Sequence, residues 1–304
     1  MAKLRVGVDL GGTSVKVGAV VDGAIVARRA VPPGGSLAEC MRNIADAARG
    51  VSAEAAGLDP ADVDAASALP QTLGIGLPGV CDDAQRVVLD APNIPFLEGQ
   101  DVAGAAEAEL GIAVRLENDA NVAALGEARF GSGEDFPDFL LATLGTGIGG
   151  GLILDGRIWR GPGGMAGEFG HMNVGHGRRC GCGAMGCIEA AASAVQMERR
   201  GAEALGRELK LPELAALARD GDAQARAVFD EAGALFGEAL AQVALLLDLR
   251  VFLVGGGGAP VLDLLHAPAL QVLGQRAFGR SADDFVLVPA TLGNDAGILG
   301  AALL

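Results

Sequence analysis

Three cysteines, Cys180, Cys182 and Cys187, fall within eight residues of a glycine-rich segment of this 304-residue chain. Thiolates at that spacing are soft ligands, and a nearby imidazole would complete the tetrahedral set that Zn²⁺ prefers. Two histidines lie near enough: His171 is nine residues before Cys180 and His176 four, and spacing alone does not choose between them. The remaining cysteines, Cys40 and Cys81, stand apart. Five cysteines so arranged make no disulfide framework in a protein of this size.

Carboxylates are gathered at two further places. In Glu117-Asn118-Asp119-Ala120-Asn121, polar groups occupy the junction between a short apolar run and a helical pattern. Asp119 there is either a cap for the free amides of the first turn or a general base for an attacking hydroxyl, a role worth about 10² to 10⁴ in rate. Glu168 and His171 are flanked by Gly167 and Gly170 with no apolar period to explain them, and Glu189 ends the cysteine segment. Carboxylates, an asparagine and a histidine with few aromatics suit a polyhydroxyl ligand hydrogen-bonded from several sides.

Three glycine-rich loops follow apolar runs: Asp9-Leu10-Gly11-Gly12-Thr13, Leu144-Gly145-Thr146-Gly147, and Val254 leading into Gly255-Gly256-Gly257-Gly258. Glycines let backbone amides converge on one anion and threonine adds a hydroxyl donor, which is what a phosphate chain needs. Asp9, beside such phosphates, can hold Mg²⁺ directly or through water. Lys16 either meets the same oxygens or is a surface charge. Both Gly145-x-Gly147-x-x-Gly150 and Gly74-x-Gly76-x-x-Gly79 match the dinucleotide fingerprint by letter, but that fingerprint must open a helix. The first is followed by a hairpin pattern and the second by Val80-Cys81-Asp82. With no G-x-x-x-x-G-K-[ST] anywhere, a nicotinamide enzyme and a P-loop enzyme are both disfavoured.

The elements that must carry these loops are legible as a repeat. Residues 4–10 and 15–21 are apolar, β-branched runs, and Asp22-Gly23 before Ala24-Ile25-Val26 is a hairpin signal. A helical period over 36–57, a strand at 72–77, a strand at 114–117 and a helix through Arg129 make an α/β domain. The order then restarts: a strand at 139–144, the Gly145 loop, a strand at 149–154, Asp155-Gly156, and Arg157-Ile158-Trp159. The chain is therefore read as a duplicated α/β domain. A helical region over 190–247, a buried strand at 250–254 and a final strand and helix complete the second copy.

Composition narrows the partners. Asp and Glu total 38 against 23 Lys and Arg, a formal charge of −15, so a nucleic-acid backbone or an anionic membrane surface is excluded on electrostatic grounds. No stretch reaches the roughly 18 uncharged residues of a membrane helix. The expected location is cytoplasmic.

Taken in order, Val8-Asp9-Leu10-Gly11-Gly12-Thr13, Gly74 to Gly79, Glu117 to Asn121, Leu144 to Gly150, Gly167-Glu168-Phe169-Gly170-His171, Cys180 to Glu189 and Leu292 to Gly297 resemble the ROK family of sugar kinases over nearly the whole chain. The resemblance implies an actin-like, ribonuclease-H-type fold of two α/β domains around a cleft. Residues 1–117 with 293–304 would form the smaller domain and 118–292 the larger. It implies ATP-dependent phosphorylation of a hexose 6-hydroxyl, most like a glucokinase, with Asp119 as base and Asn93, Asn118, Glu168, His171 and Glu189 contacting the sugar. Gly11, Gly12, Thr13, Gly145, Thr146 and Gly147 would hold phosphates, with Asp9 and Lys16 beside them, and Gly255, Gly256 and Gly257 the adenosine side. His171, Cys180, Cys182 and Cys187 would bind a structural Zn²⁺. A homodimer is the family's habit.

Two other readings compete. A kinase for fructose, mannose or N-acetylmannosamine would differ only in pocket details. A non-catalytic, sugar-sensing repressor of the family carries a helix-turn-helix ahead of the kinase-like part, whereas here the first strand begins at about residue 4.

Overall fold

The computed structural model describes residues 3–59 and 68–304. Packing divides the chain into two units: Met1–Glu134 with Arg157–Ala166 and Asn294–Leu304, and Asp135–Gly156 with Gly167–Gly293. The boundary expected at residue 117 falls inside the first unit. The helix beyond it packs on the final helix of the chain and on the first unit's sheet.

In the first unit β1 (Arg5–Leu10), β2 (Val15–Val21), β3 (Ala24–Val31), β4 (Thr72–Leu77) and β7 (Ala113–Asn118) form a sheet in the order β3-β2-β1-β4-β7. The first three strands run antiparallel, and β4 and β7 run parallel to β1. Strand alternation sends Val6, Val8 and Leu10 into a core shared with Cys40, Met41, Ile44 and Val51 of α1 (Leu37–Ala55) and with α2 (Val102–Leu110). Ser36 caps α1, its Oγ accepting from the Glu39 amide at 3.3 Å. The opposite face carries α3 (Asp119–Phe130) and α9 (Ala296–Ala301). Those helices cross closely: a Cβ at Gly300 would lie 1.6 Å from the Val122 carbonyl oxygen, a place that no side chain fits. A small ribbon, β5 (Val80–Cys81) with β6 (Val88–Asp90), follows β4.

The second unit repeats the plan. Strands β8 (Phe139–Leu144) and β9 (Ile148–Leu154) are antiparallel, β11 (Val251–Gly255) and β12 (Val286–Pro289) are parallel to β8, and these four of the sheet's five strands follow the order β9-β8-β11-β12. After β9 comes Arg157–Ile158, the short β10, in the first unit. The duplication extends to backbone angles. Asp22 and Gly23 have φ of 50° and 82°, and Asp155 and Gly156 have 51° and 69°, so each copy turns through two positive φ values as a type I′ hairpin requires.

The helical region resolves into α4 (Glu189–Ala192), α5 (Ala194–Leu205), α6 (Leu211–Arg219) and α7 (Ala223–Leu247). One element was not anticipated: α8 (Leu262–Arg276), packed on α7, lies between β11 and β12 and contains Pro268. Each unit has its own apolar core, with Phe229, Phe236 and Phe252 in the second. Among the described residues no helix is long and apolar enough to cross a membrane.

Candidate active site

Asp9, Gly76 and Glu117 lie in one row across β1, β4 and β7. They stand near the carboxyl ends of parallel strands, where α/β sheets place their ligands. Two strand spacings put the backbones of Asp9 and Glu117 about 10 Å apart. Asp9 points to the α9 face, and a Cβ at Gly297 would come within 3.0 Å of its carboxyl carbon. Its Oδ2 accepts from Lys16 Nζ at 3.0 Å, so Lys16 is engaged at this strand end. In the following loop the Gly11 amide donates to the Ser14 carbonyl at 3.0 Å, and Gly12 sits against Asn93, whose carbonyl oxygen would be 2.9 Å from a Cβ there. Asn93 is thereby brought beside the first glycine loop.

Glu117 is buried and its carboxylate is fully engaged. Oε1 accepts from the Asn118 amide at 3.0 Å and from Asn121 Nδ2 at 2.9 Å. Oε2 accepts from Gln85 Nε2 at 2.9 Å and from Arg160 Nε. Asn118 is the cap of α3, its Oδ1 accepting from the Ala120 and Asn121 amides at 2.9 and 3.2 Å while Nδ2 donates to the Gly79 carbonyl at 3.1 Å. Asp119 is the first residue of that helix and is exposed, its Oδ1 accepting from the Ala120 amide at 2.8 Å. The helix dipole favours an anion at this end. Arg160 and Gln85, both essential to this arrangement, carried no signal in the sequence. Arg160 is 43 residues from its partner in an ordinary glycine-rich stretch.

In the second unit the Gly145 amide donates to the Gly147 carbonyl at 2.9 Å and closes the loop after β8. Glu189 props it: Oε2 accepts from the Ile148 amide at 3.0 Å, and a Cβ at Gly147 would fall 2.4 Å from the same oxygen. The loop after β11 lies alongside, since Gly255 pairs with Thr143 and the Gly258 amide donates to the Leu144 carbonyl at 2.9 Å. Thr146, Gly256 and Gly257 remain exposed. Glu168 precedes and His171 ends a single 3₁₀ turn, Phe169–His171, with His171 Nε2 3.9 Å from Glu168 Oε2.

One ligand atom each of His171, Cys180, Cys182 and Cys187 lies within 4.8 Å of the other three. Cys182 and Cys187 have sulfurs 3.7 Å apart, and Cys180 Sγ is 3.8 Å from His171 Nδ1. With Zn–S of about 2.3 Å, two thiolates of a tetrahedral site sit roughly 3.8 Å apart, so the donor set fits zinc in kind and in spacing. Burial pushes the Cys180 thiol up to about 12 and also raises Cys187, whereas a bond from the Ala184 amide lowers Cys182. His176 is committed elsewhere: Nε2 meets the Cys187 carbonyl at 2.9 Å and Nδ1 accepts from the Arg178 amide at 3.0 Å.

The chain matches the description of the ROK family over residues 5–304. It is 34% identical to a glucokinase of Halalkalibacterium halodurans, over 98% of this chain and 94% of that protein. Among solved structures, a ROK hexokinase from Thermus thermophilus matches with a TM-score of 0.84 at 34% identity, covering 99% of this chain and 97% of that one. A ROK family glucokinase from Streptomyces griseus, solved in complex with glucose and AMPPNP, matches with a TM-score of 0.78 at 34% identity, over 98% of both chains. The duplicated α/β units are the actin-like fold of these sugar kinases. Matched from end to end and in the order of its motifs, the chain belongs to the ROK family.

Proposed function

We propose that this protein is an ATP-dependent glucokinase that transfers the γ-phosphoryl group to the 6-hydroxyl of glucose. The observation that carries the reading is the match along 98% of the chain to the Streptomyces griseus glucokinase, whose structure holds glucose and AMPPNP. Asp119 takes the proton of the 6-hydroxyl as its oxygen attacks the γ-phosphorus; the bond to the β-γ bridging oxygen breaks, and the products are sugar phosphate and ADP. Its exposure at the start of α3, and the anchoring of that turn by Asn118 and Glu117, support the assignment. Asn93, Asn118, Glu168, His171 and Glu189 hold the sugar hydroxyls.

The amides of Gly11, Gly12, Thr13, Gly145, Thr146 and Gly147 stabilise the phosphate oxygens as charge shifts in the transition state. Gly255, Gly256 and Gly257 face the nucleoside. Asp9 is a hard oxygen donor at the first loop, suited to Mg²⁺, which would neutralise phosphate charge when bound with the nucleotide. His171, Cys180, Cys182 and Cys187 would hold Zn²⁺ as a closed structural brace for the loop carrying Glu189. Reduced thiols of this kind fit a cytoplasmic protein, and we take the working form to be a homodimer.

A coupled phosphorylation assay over glucose, fructose, mannose and N-acetylmannosamine tests the proposal. A general base contributes about 10² to 10⁴ in rate. Asp119→Ala is therefore expected to abolish nearly all turnover, and a variant as active as its parent overturns the assignment of the base. Phosphorylation of another hexose in preference to glucose overturns the substrate.

A further inference from the structure

Arg178, Arg179, Arg199 and Arg200 line one cavity of about 320 Å³ in the second unit, together with Gln196 and Glu203. Four guanidiniums in one place are out of keeping with a chain of formal charge −15. Their counter-charges are too few. Glu231 is shared by Arg178, at 2.8 Å, and Arg200. Glu203 accepts from Arg199 at 3.1 Å. Among the described residues Arg179 has no ion-pair partner. Two carboxylates thus face four guanidiniums, an excess of two positive charges. Nη1 of Arg178 is shut off from solvent and makes no hydrogen bond. Burial pulls the Arg200 pKa below its ordinary value and the charge of Arg178 adds to the effect, against the opposing pull of Glu231. The cations crowd one another.

We propose that this cavity binds the dianionic phosphate group of a small phosphate ester. Guanidinium forks match phosphate oxygens two at a time, and the excess charge equals that of a phosphate dianion. The volume falls within the range of about 300–1,000 Å³ usual for small-molecule sites, and Gln196 offers a polar contact for the rest of the ester. None of these residues belongs to the glycine loops, so the cavity is a second phosphate site and its binding does not depend on the kinase reading.

Its position links it to the chemistry. Arg178 and Arg179 lead directly into Cys180, and Arg200 Nη1 donates to the Ala191 carbonyl at 2.9 Å in α4, the helix that Glu189 begins. A phosphate bound here would therefore sit beside both the entry to the cysteine loop and the helix bearing Glu189.

Arg179 and Arg199 are exposed, so replacing them leaves the core intact. Calorimetric titration with inorganic phosphate, and separately with a hexose 6-phosphate, is the test, run on the parent chain, on Arg179→Ala with Arg199→Ala, and on Thr146→Val. Saturable binding to the parent is expected, weakened about tenfold or more in the arginine variant through lost charge-assisted bonds, with Tm unchanged and with binding kept in Thr146→Val. Tighter binding of the ester than of inorganic phosphate, with that advantage lost in the arginine variant, identifies the ester as ligand; equal binding assigns the site to free phosphate. The proposal is overturned by absence of saturable binding, by equal affinity in the arginine variant, or by binding lost in Thr146→Val alone. It is also overturned if the arginine variant changes the oligomeric mass while phosphate binds nowhere, since a second copy of the chain then covers the arginines.

Discussion

Nε of Arg160 donates to Oε2 of Glu117, tying the segment that runs on toward Glu168 to the carboxylate that orders the first turn of α3. Glu117 is 4% exposed, and a buried carboxylate stripped of its cation is costly. Arg160→Gln should therefore loosen Asn118 and Asp119 without touching either directly. Misplacing a reacting group by about 1 Å costs on the order of 10²-fold, so kcat should fall by that order while KM for ATP stays near the parent value, and Arg160→Lys should restore part of the loss. Steady-state kinetics with a thermal melt decides the matter. A fall in Tm with kcat preserved would leave Arg160 a purely structural residue.

Metal analysis of the purified chain should find a single zinc. Cys182→Ser and His171→Ala are each expected to lose it and to lower Tm, because a structural site contributes directly to folding. His176→Ala should keep the metal, since both of its nitrogens serve the loop backbone. Zinc retained in His171→Ala would exclude that side chain as a ligand.

Alkaline titration should expose the buried thiol of α1. Burial, with Glu39 adding, pushes the Cys40 thiol up from 9.0 to about 12. A group held protonated by the fold contributes fully below its unfolded pKa, and the contribution is lost as pH rises through the window from 9.0 to about 12. The urea midpoint should therefore decline over that interval, and less steeply in Cys40→Ala. The chain has no tyrosine, so no phenol titrates in the same range. Identical slopes in parent and variant would contradict this.

Gly300→Ala should destabilise the first unit severely. The added methyl meets the Val122 carbonyl oxygen at 1.6 Å and has no flexible neighbour to displace. Overpacking of this sort costs typically about 1–3 kcal/mol, and a clash with backbone belongs at the upper end. Ala301→Gly, one position on, serves as the comparison, and urea unfolding of the two variants measures the difference.

Features written in short stretches were readable before the fold was known. The Asp22-Gly23 and Asp155-Gly156 turns need only two residues to announce a hairpin, and each occurs where expected with positive φ at both. The glycine loops and the cysteine cluster are equally local. What spacing leaves open turns on contacts that spacing does not encode. His171 stands with the thiols and His176 does not because the latter's nitrogens are taken by backbone groups. α3 sits in the first unit because it packs on α9, which lies far along the chain. α8 escaped notice because Pro268 interrupts a run whose apolar residues follow no single stripe. Arg160 escaped it because an isolated arginine has no pattern at all.

The contact of Gly7 and Gly74 with α9 bears on how the protein is made. A ribosome that has delivered residues 1–293 has supplied every strand of the first sheet but not the helix that roofs one of its faces. That half of the molecule, although its synthesis begins earlier, stays unfinished until residues 294–304 emerge. The second unit, whose segments are all out by then, has no such wait.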